Sequence, residues 1–287
     1  MDNISIAVLW VTRNRCKDLV RSIESVLCQT KTADELVIVD NCSDDNTVET
    51  VAKQYPQIKI IQIHKNLGCP SARNIGLVNC ASQIIYFLDD DGWLNPKALE
   101  YALKGFSHYP RTAIVMSRII HVTDSDEENI IINNEKVCIL NNFVGCATAI
   151  KKNAFIECGG FPDDFFRQAE EVALSLYIID KGYTIVYEPK SIMFHQPSPI
   201  ERLPVQFCYY QLRNSIRIGY RQVPFPFWPG KIISQLWHAI RLSVMHRNFL
   251  LAIKVYGRSI LDLHLLFSER NPIHRKTFKQ FRKINKT

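Results

Sequence analysis

Gln83-Ile84-Ile85-Tyr86-Phe87-Leu88, followed without a break by Asp89-Asp90-Asp91, is the stretch on which the reading of this chain turns. The apolar run has the length and content of a strand buried on both faces. It ends on three consecutive carboxylates, which repel one another. Such a cluster is costly unless a cation or solvent screens it. The combination predicts a buried strand whose carboxyl end delivers acids to a cation or a polar ligand. The plainer alternative is that Asp89–Asp91 opens the next helix.

The segments upstream repeat the pattern. Ser5–Val11, Glu35–Asp40 and Ile58–Ile63 read as strands. Between them Cys16–Cys28 carries Leu19, Val20, Ile23, Val26 and Leu27 at amphipathic helical spacing. Thr47–Tyr55 and Ser71–Asn79 are the next helical patterns. Strands alternating with helices predict an α/β fold, a mostly parallel central sheet with helices on both faces. Ligands of such sheets bind at the carboxyl ends of the strands. Asp40 ends one predicted strand and Asp89 another, so both fall on one edge. Asp40 acting only as a turn cap is the simpler alternative.

Further along, a helix is expected from Asn95-Pro96, a strand over Ala113–His121, and an acidic exposed segment over Thr123–Glu135. Phe143–Ile150 is apolar and strand-like. Gly159-Gly160 marks a turn, Phe165–Lys181 is helical, and Gly182 is its expected C-cap. Tyr183–Tyr187 and Ser191–His195 read as two short extended runs.

Beyond Pro199 the composition changes. Residues 1–200 hold 19 Lys/Arg against 25 Asp/Glu, net −6, whereas residues 201–287 hold 16 against 3, net +13. The chain therefore reads as a unit over 1–200 and a basic helical extension over 201–287. Phe207–Tyr220 and Lys231–Phe267 are its expected helices, joined by the Pro- and aromatic-rich Val223–Gly230. Arg241, His246, Arg247, Lys254 and Arg258 exclude a membrane-spanning helix. Packing on the main unit and lying at a membrane surface both remain open. The charge suits anionic headgroups or a phosphorylated acceptor. Its aromatics are not arrayed for base stacking, so no nucleic acid partner is expected. The nine cysteines form no CxxC pair, and the first apolar run, Ile4–Val11, is short and lacks signal-peptide flanks. Buried reduced thiols and a cytoplasmic location, with contact at most to the inner face of the plasma membrane, are the expectation.

Several segments together resemble glycosyltransferase family 2. Val8-Leu9-Trp10-Val11-Thr12-Arg13-Asn14-Arg15 is similar to the family's opening strand and loop. Val37-Ile38-Val39-Asp40-Asn41-Cys42-Ser43-Asp44-Asp45 is similar to its second motif. Asn66-Leu67-Gly68 with Ala72-Arg73-Asn74, then Phe87-Leu88-Asp89-Asp90-Asp91, follow in the family's order. Gly159-Gly160-Phe161, Glu170-Glu171, Gly182-Tyr183, Tyr187-Glu188-Pro189 and His195 resemble the acceptor half. The match covers about residues 4–200. His195-Gln196-Pro197-Ser198-Pro199, Tyr209-Tyr210 and Arg213-Asn214 look like the tail of members that build bacterial surface polysaccharides.

The resemblance implies a GT-A fold and transfer of a sugar from a nucleoside-diphosphate donor, a UDP- or dTDP-sugar, to a saccharide or lipid-linked acceptor. It implies Mn²⁺ or Mg²⁺ held by Asp89, Asp91 and His195. Donor contacts fall to Thr12, Asn14, Asp40, Arg73, Asp89 and Asp90. Glu171, with Glu170 beside it, occupies the position of the base for an inverting reaction, and Gly145 and Cys146 line the acceptor side. Read without the resemblance, the Glu pair is a solvated helical pair and His195 a packed or exposed histidine. Three positions depart from the family pattern: Val11 stands for Pro, and Ala173 and Tyr177 stand where Asp and Arg are usual. The last two leave the donor site intact, put the acceptor geometry in question and keep open a non-catalytic, donor- or membrane-binding relative. A nucleotidyltransferase, releasing pyrophosphate, is the other enzyme class considered.

Overall fold

The computed structural model describes residues 4–122, 135–196 and 204–284. Most of the expected acidic segment (123–134) and Pro197-Ser198-Pro199 of the tail motif lie outside the described residues.

The first part folds as its periodicity requires. Strands β1 (Ile6–Thr12), β2 (Glu35–Asn41), β3 (Lys59–Ile63) and β4 (Ile84–Leu88) are joined by helices α1 (Cys16–Leu27), α2 (Thr47–Gln54) and α3 (Cys69–Val78). They pair in the order β3-β2-β1-β4, all parallel, with Thr12 in register with Asp40. Alternate residues face opposite sides of the sheet. Ile6, Val8, Trp10, Tyr86 and Leu88 pack under Leu19, Ile23 and Val26 of α1. Ala7, Leu9, Val37, Ile85 and Phe87 pack under Ala72 and Leu77 of α3. Burial on both faces is why these strands read as unbroken apolar runs.

Beyond β4 the sheet becomes mixed. It continues through β5 (Gly92–Leu94), α4 (Ala98–Gly105), β6 (Thr112–His121), β7 (Cys138–Leu140), β8 (Ala147–Lys151), α5 (Lys152–Glu157), α6 (Glu170–Asp180) and β9 (Thr184–His195). The full order is β3-β2-β1-β4-β8-β6-β9-β5, with β7 also on β9. β8 runs antiparallel to β4 and β6, and β6 parallel to β9. The two short runs expected at 183–195 are one continuous strand, β9, which carries His195 into register with His121. The helix expected from Phe165 starts only at Glu170. Gln168 and Ala169 adopt left-handed φ values of 70° and 67°, which breaks any helix before them.

The basic extension is helical: α7 (Pro204–Arg221), α8 (Phe227–Met245), α9 (Phe249–Leu261), a short 3₁₀ turn at Asp262–His264, α10 (Leu265–Ser268) and α11 (Arg275–Ile284). The single helix expected over 231–267 is interrupted after Met245, where Arg247 takes φ 49°. Leu212, Ile216 and Tyr220 of α7 pack with Ile232 and Ala239 of α8 and Leu251 and Val255 of α9. A second cluster joins α6, α7 and α11 through Ala173, Leu176, Ile218 and Phe278. The extension is therefore packed on the main unit, while α8 and α9 keep an exposed outer face.

One buried ion pair fastens this packing. Arg217 donates from Nε and Nη2 to the two carboxylate oxygens of Asp262, at 2.6 and 2.9 Å, with both residues almost fully buried. The pair belongs to a network, since Arg217 also pairs with Asp164 and Asp262 with Arg258. Removing Asp262 strips Arg217 of its buried partner and leaves Asp164. Asp262→Ala is expected to lower the unfolding free energy by about 2 kcal/mol, read from urea denaturation, with Asp164 still neutralising Arg217.

Candidate active site

The acids at the end of β4 are held apart in three different ways. Asp90 is buried; its oxygens accept Thr12 Oγ1 at 2.7 Å and Arg15 Nη1 at 2.8 Å. Asp91 is fully buried and faces His195, whose Nε2 lies 3.0 Å from Oδ1, with Arg15 Nη1 3.3 Å from Oδ2. Asp89 is the more accessible, and Arg73 Nη2 donates to it at 2.7 Å. The Asp89 N–H donates to Cys146 O and the Gly92 N–H to Asp89 O, so the backbone turns sharply under the cluster. The acids do not open a helix; they close a strand and lead into β5.

Arg73, on α3, connects this cluster to the acceptor half. Its Nη1 lies 3.8 Å from Glu171 Oε1 and 3.9 Å from Glu170 Oε1 at the start of α6. Glu171 Oε1 also accepts the Gly145 N–H at 3.1 Å. A Cβ at Gly145 would stand 2.3 Å from Arg73 Nη1 and 2.9 Å from Glu171 Oε1, so glycine is needed for the guanidinium to reach the carboxylate. The walls of one cleft of about 600 Å³ include Thr12, Arg73, Asp89, Asp90, Glu171 and His195. Its size suits a small-molecule ligand.

The expected residues thus divide. Thr12, Arg73, Asp89, Asp90, Asp91, Cys146, Glu170, Glu171 and His195 converge on the cleft or directly beneath it, with Gly145 between Arg73 and Glu171. Asn14 and Asp40 stand back from its wall. Asp40 is buried and accepts the Ser43 N–H, and Asn14 bonds Ser43 Oγ and the Asp44 N–H, so the two shape the loop after β2. Asn41 is the β2 residue that reaches the cleft, tied to Asn66 by a 3.0 Å hydrogen bond.

Besides Asn41, four further contributors were not singled out from sequence. Arg15, at the N-cap of α1, is the cation that keeps Asp90 and Asp91 together. His121 approaches His195, Nδ1 to Nδ1, at 3.2 Å, a contact that only the β6–β9 register reveals. Phe207 and Gln211 of α7 form part of the cleft wall. Of the nine free cysteines, only Cys80, Cys146 and Cys158 are buried, and Cys28 and Cys138 are exposed.

The departures from the family pattern also find their place. Ala173 lies in the apolar cluster with α7 and α11, and its carbonyl accepts Gln222 Nε2. Tyr177 donates its hydroxyl to Asn271 O. Both positions face the extension and neither lines the cleft.

Ligand atoms of Asp89, Asp91 and His195 lie within 4.8 Å of one another. Two carboxylates and one imidazole suit a borderline divalent cation such as Mn²⁺, and less well Mg²⁺, which favours an all-oxygen shell. Asp90 is outside this group; its two oxygens bond Thr12 and Arg15.

A family model described as Glycosyl transferase family 2 matches residues 7–161. An uncharacterized glycosyltransferase of Haemophilus influenzae is 27% identical over 165 residues, 54% of this chain and 55% of that protein. The poly-beta-1,6-N-acetyl-D-glucosamine synthase of Staphylococcus aureus is 25% identical over 199 residues, 64% of this chain and 48% of that protein. The chain thus spans about half the length of these curated relatives. Among solved structures, GalNAc-T7 with UDP, GalNAc and Mn²⁺ superposes with a TM-score of 0.65 at 17% identity, over 78% of this chain and 49% of that one. The architecture is the GT-A fold.

Protonation inside the cleft follows from burial. Asp90 is pushed up to about 6 by burial, against the pull of Arg15. Glu170 is pushed up to about 8 by burial and by the charge of Glu171, and its Oε2 has no hydrogen-bond partner. Glu171 is also raised by burial, with Arg73 opposing. A proton on Glu170 removes a like charge from beside Glu171. The linkage sign follows. Between its ordinary 4.5 and about 8, Glu170 keeps a proton in the folded chain that the unfolded chain releases. This contribution to stability is complete below the lower value and is lost as pH rises through the upper one. Glu170→Gln is expected to flatten that part of the pH dependence. Urea denaturation at several pH values, in metal-free buffer, measures it; parallel profiles for the two chains would mean that Glu170 is ionised throughout.

Proposed function

Since the chain belongs to glycosyl transferase family 2, we propose that it transfers a sugar, with inversion, from a nucleoside-diphosphate donor to a saccharide or lipid-linked acceptor. The observation that carries this reading is Arg73, whose guanidinium bonds Asp89 on the donor side and lies beside Glu171 on the acceptor side. Transfer needs positive charge where the leaving phosphate forms and a base where the acceptor hydroxyl arrives. Those two needs are met here within one cleft.

Thr12, Asn14, Asp40, Asp89 and Asp90 are the donor side of the reading, with Asp40 and Asn14 acting by holding their loop. Arg73 supplies a fixed cation near the donor phosphates. Asp89, Asp91 and His195 would hold a divalent cation, which when bound supplies Lewis-acid stabilisation of the phosphate charge. Glu171 accepts the proton of the acceptor hydroxyl. The hydroxyl oxygen bonds to the anomeric carbon from the face opposite the phosphate, and the bond from that carbon to the phosphate oxygen breaks. Glu170, kept neutral, spares Glu171 a second negative charge at its side. Gly145 and Cys146 lie on the acceptor side. The neighbour crystallised with UDP, GalNAc and Mn²⁺ supports a nucleotide-sugar donor and that metal. The staphylococcal polysaccharide synthase supports a saccharide acceptor. UDP- and dTDP-sugars are the donors proposed.

In domain terms the reading is a transferase unit over 1–200 and an extension over 201–287. A non-catalytic relative loses its main support, because Ala173 and Tyr177 lie away from the cleft.

Donor hydrolysis and transfer with Mn²⁺ or Mg²⁺ test this, after a thermal-shift panel of UDP-, dTDP- and GDP-sugars selects the donor. Asp91→Ala is expected to lose about 100-fold or more in turnover and to stop responding to metal. Turnover equal to the parent chain would remove the metal assignment. Glu171→Gln is expected to lower kcat about 10²- to 10⁴-fold with donor KM little changed. An unchanged kcat would instead point to a binding protein.

A further inference from the structure

The outer faces of α8 and α9 carry a density of exposed apolar side chains that nothing in the chain covers among the described residues. On α8, Ile233, Trp237, Ile240 and Val244 recur at helical steps and form one stripe. On α9 the exposed set is Phe249, Leu250, Ile253, Ile260 and Leu261. Phe267 follows on α10, 86% exposed, while Trp237 and Phe249 are 63% and 69% exposed. Apolar surface of this extent on a soluble chain marks an interaction site. No helix among the described residues is long and apolar enough to cross a membrane. The face can therefore lie on a bilayer, and cannot span one.

Charge selects the partner. Residues 227–261 contain Lys231, Arg241, Arg247, Lys254 and Arg258 and no Asp or Glu. The next acid, Asp262, is buried and holds Arg217 and Arg258, and Lys231 is half-buried, so Arg241, Arg247 and Lys254 are the exposed cations of the face. A second copy docked about a two-fold axis would set these cations against themselves. A surface of anionic phosphates neutralises them while the apolar side chains enter the acyl boundary. We propose that the α8–α9 hairpin is an interfacial anchor that seats this protein on a bilayer containing anionic phospholipid.

The seat also orients the cleft. Cys208 Sγ lies 4.0 Å from His246 Nε2, so the N-terminal end of α7 adjoins the α8–α9 turn. Phe207, next to Cys208, lines the cleft, as does Gln211. Met245, Arg247, Phe249 and Leu250 at the turn thus share one end of the extension with the α7 wall of the cleft. Docking there brings that wall to the lipid surface, where a lipid-linked saccharide presents its headgroup. This last step rests on the transferase reading; the docking itself does not.

Flotation of the full chain with phosphatidylcholine vesicles, and with vesicles that also contain phosphatidylglycerol, tests the proposal. Binding to the anionic vesicles is expected to be about tenfold or more tighter and to weaken with salt. Phe249→Ser/Leu250→Ser should lose most of the binding. Arg247→Gln/Lys254→Gln should lose about fivefold per removed charge on anionic vesicles only. All four side chains are exposed or peripheral to the core, so donor hydrolysis in detergent-free buffer should stay at the parent rate. Equal flotation of the parent and the Phe249/Leu250 variant would overturn the proposal. So would a parent chain that ignores vesicles but dimerises in sedimentation, which would assign the face to a second copy. Vesicle binding without donor hydrolysis in any chain would keep the anchor and remove the transferase reading.

Discussion

Three adjacent carboxylates at the end of a buried strand set the terms for the rest of the cleft. Two unit charges about 4 Å apart repel by about 4 kcal/mol at an effective dielectric of about 20, so the cluster needs cations from elsewhere in the fold. Arg15 comes from the start of α1 and Arg73 from the first turns of α3. Both helices begin just beyond the carboxyl ends of parallel strands, the edge to which β4 also delivers its acids. The parallel half of the sheet is thus what makes the neutralisation possible. The two arginines divide the work: Arg15 is bonded to Asp90 on the cleft wall and to Asp91 beneath it, and Arg73 to Asp89.

Arg73 extends the same constraint to the antiparallel half. Its contacts with Glu170 and Glu171 require α6 to begin at one point, and the left-handed Gln168 and Ala169 provide that start. Backbone of this kind persists only where its surroundings hold it. Here the hold comes from α7: Asn214, fully buried, donates from Nδ2 to both Arg167 O and Gln168 O at 2.8 Å. Gly68, with φ 82°, lets the loop at Phe166 approach α3, because a Cβ there would lie 2.1 Å from Phe166 O.

The sequence made the strands of the parallel half legible because their side chains obey a single rule: burial on both faces. The Asp cluster, Arg73 and the Glu pair were legible because their chemistry is unusual for their positions. Asp40 illustrates the limit. Its place at a strand end was readable, but the direction of its carboxylate, into its own turn, depends on the Ser43 N–H. His121 was out of reach for a different reason. Nothing local to it points to His195; the pairing arises from the register of strands 74 residues apart. Arg15 closes the opening motif with nothing local to tie it to the acids, and only the turn into α1 brings it onto Asp90.

Ala173 and Tyr177 show why a motif position and a functional position can part. In this chain the face of α6 that carries them is covered by α7 and α11. A charged pair there would be buried against Ile218 and Phe278 and would need partners of its own. Alanine fits the apolar contact, and the tyrosine hydroxyl finds the carbonyl of Asn271. The substitutions are thus the local cost of seating a helical extension on α6. The extension returns a benefit to the cleft, since α7 both braces the loop before Glu170 and contributes Phe207 and Gln211 to the wall. The basic segment that looked like a separate electrostatic object is, in its first helix, part of the cleft.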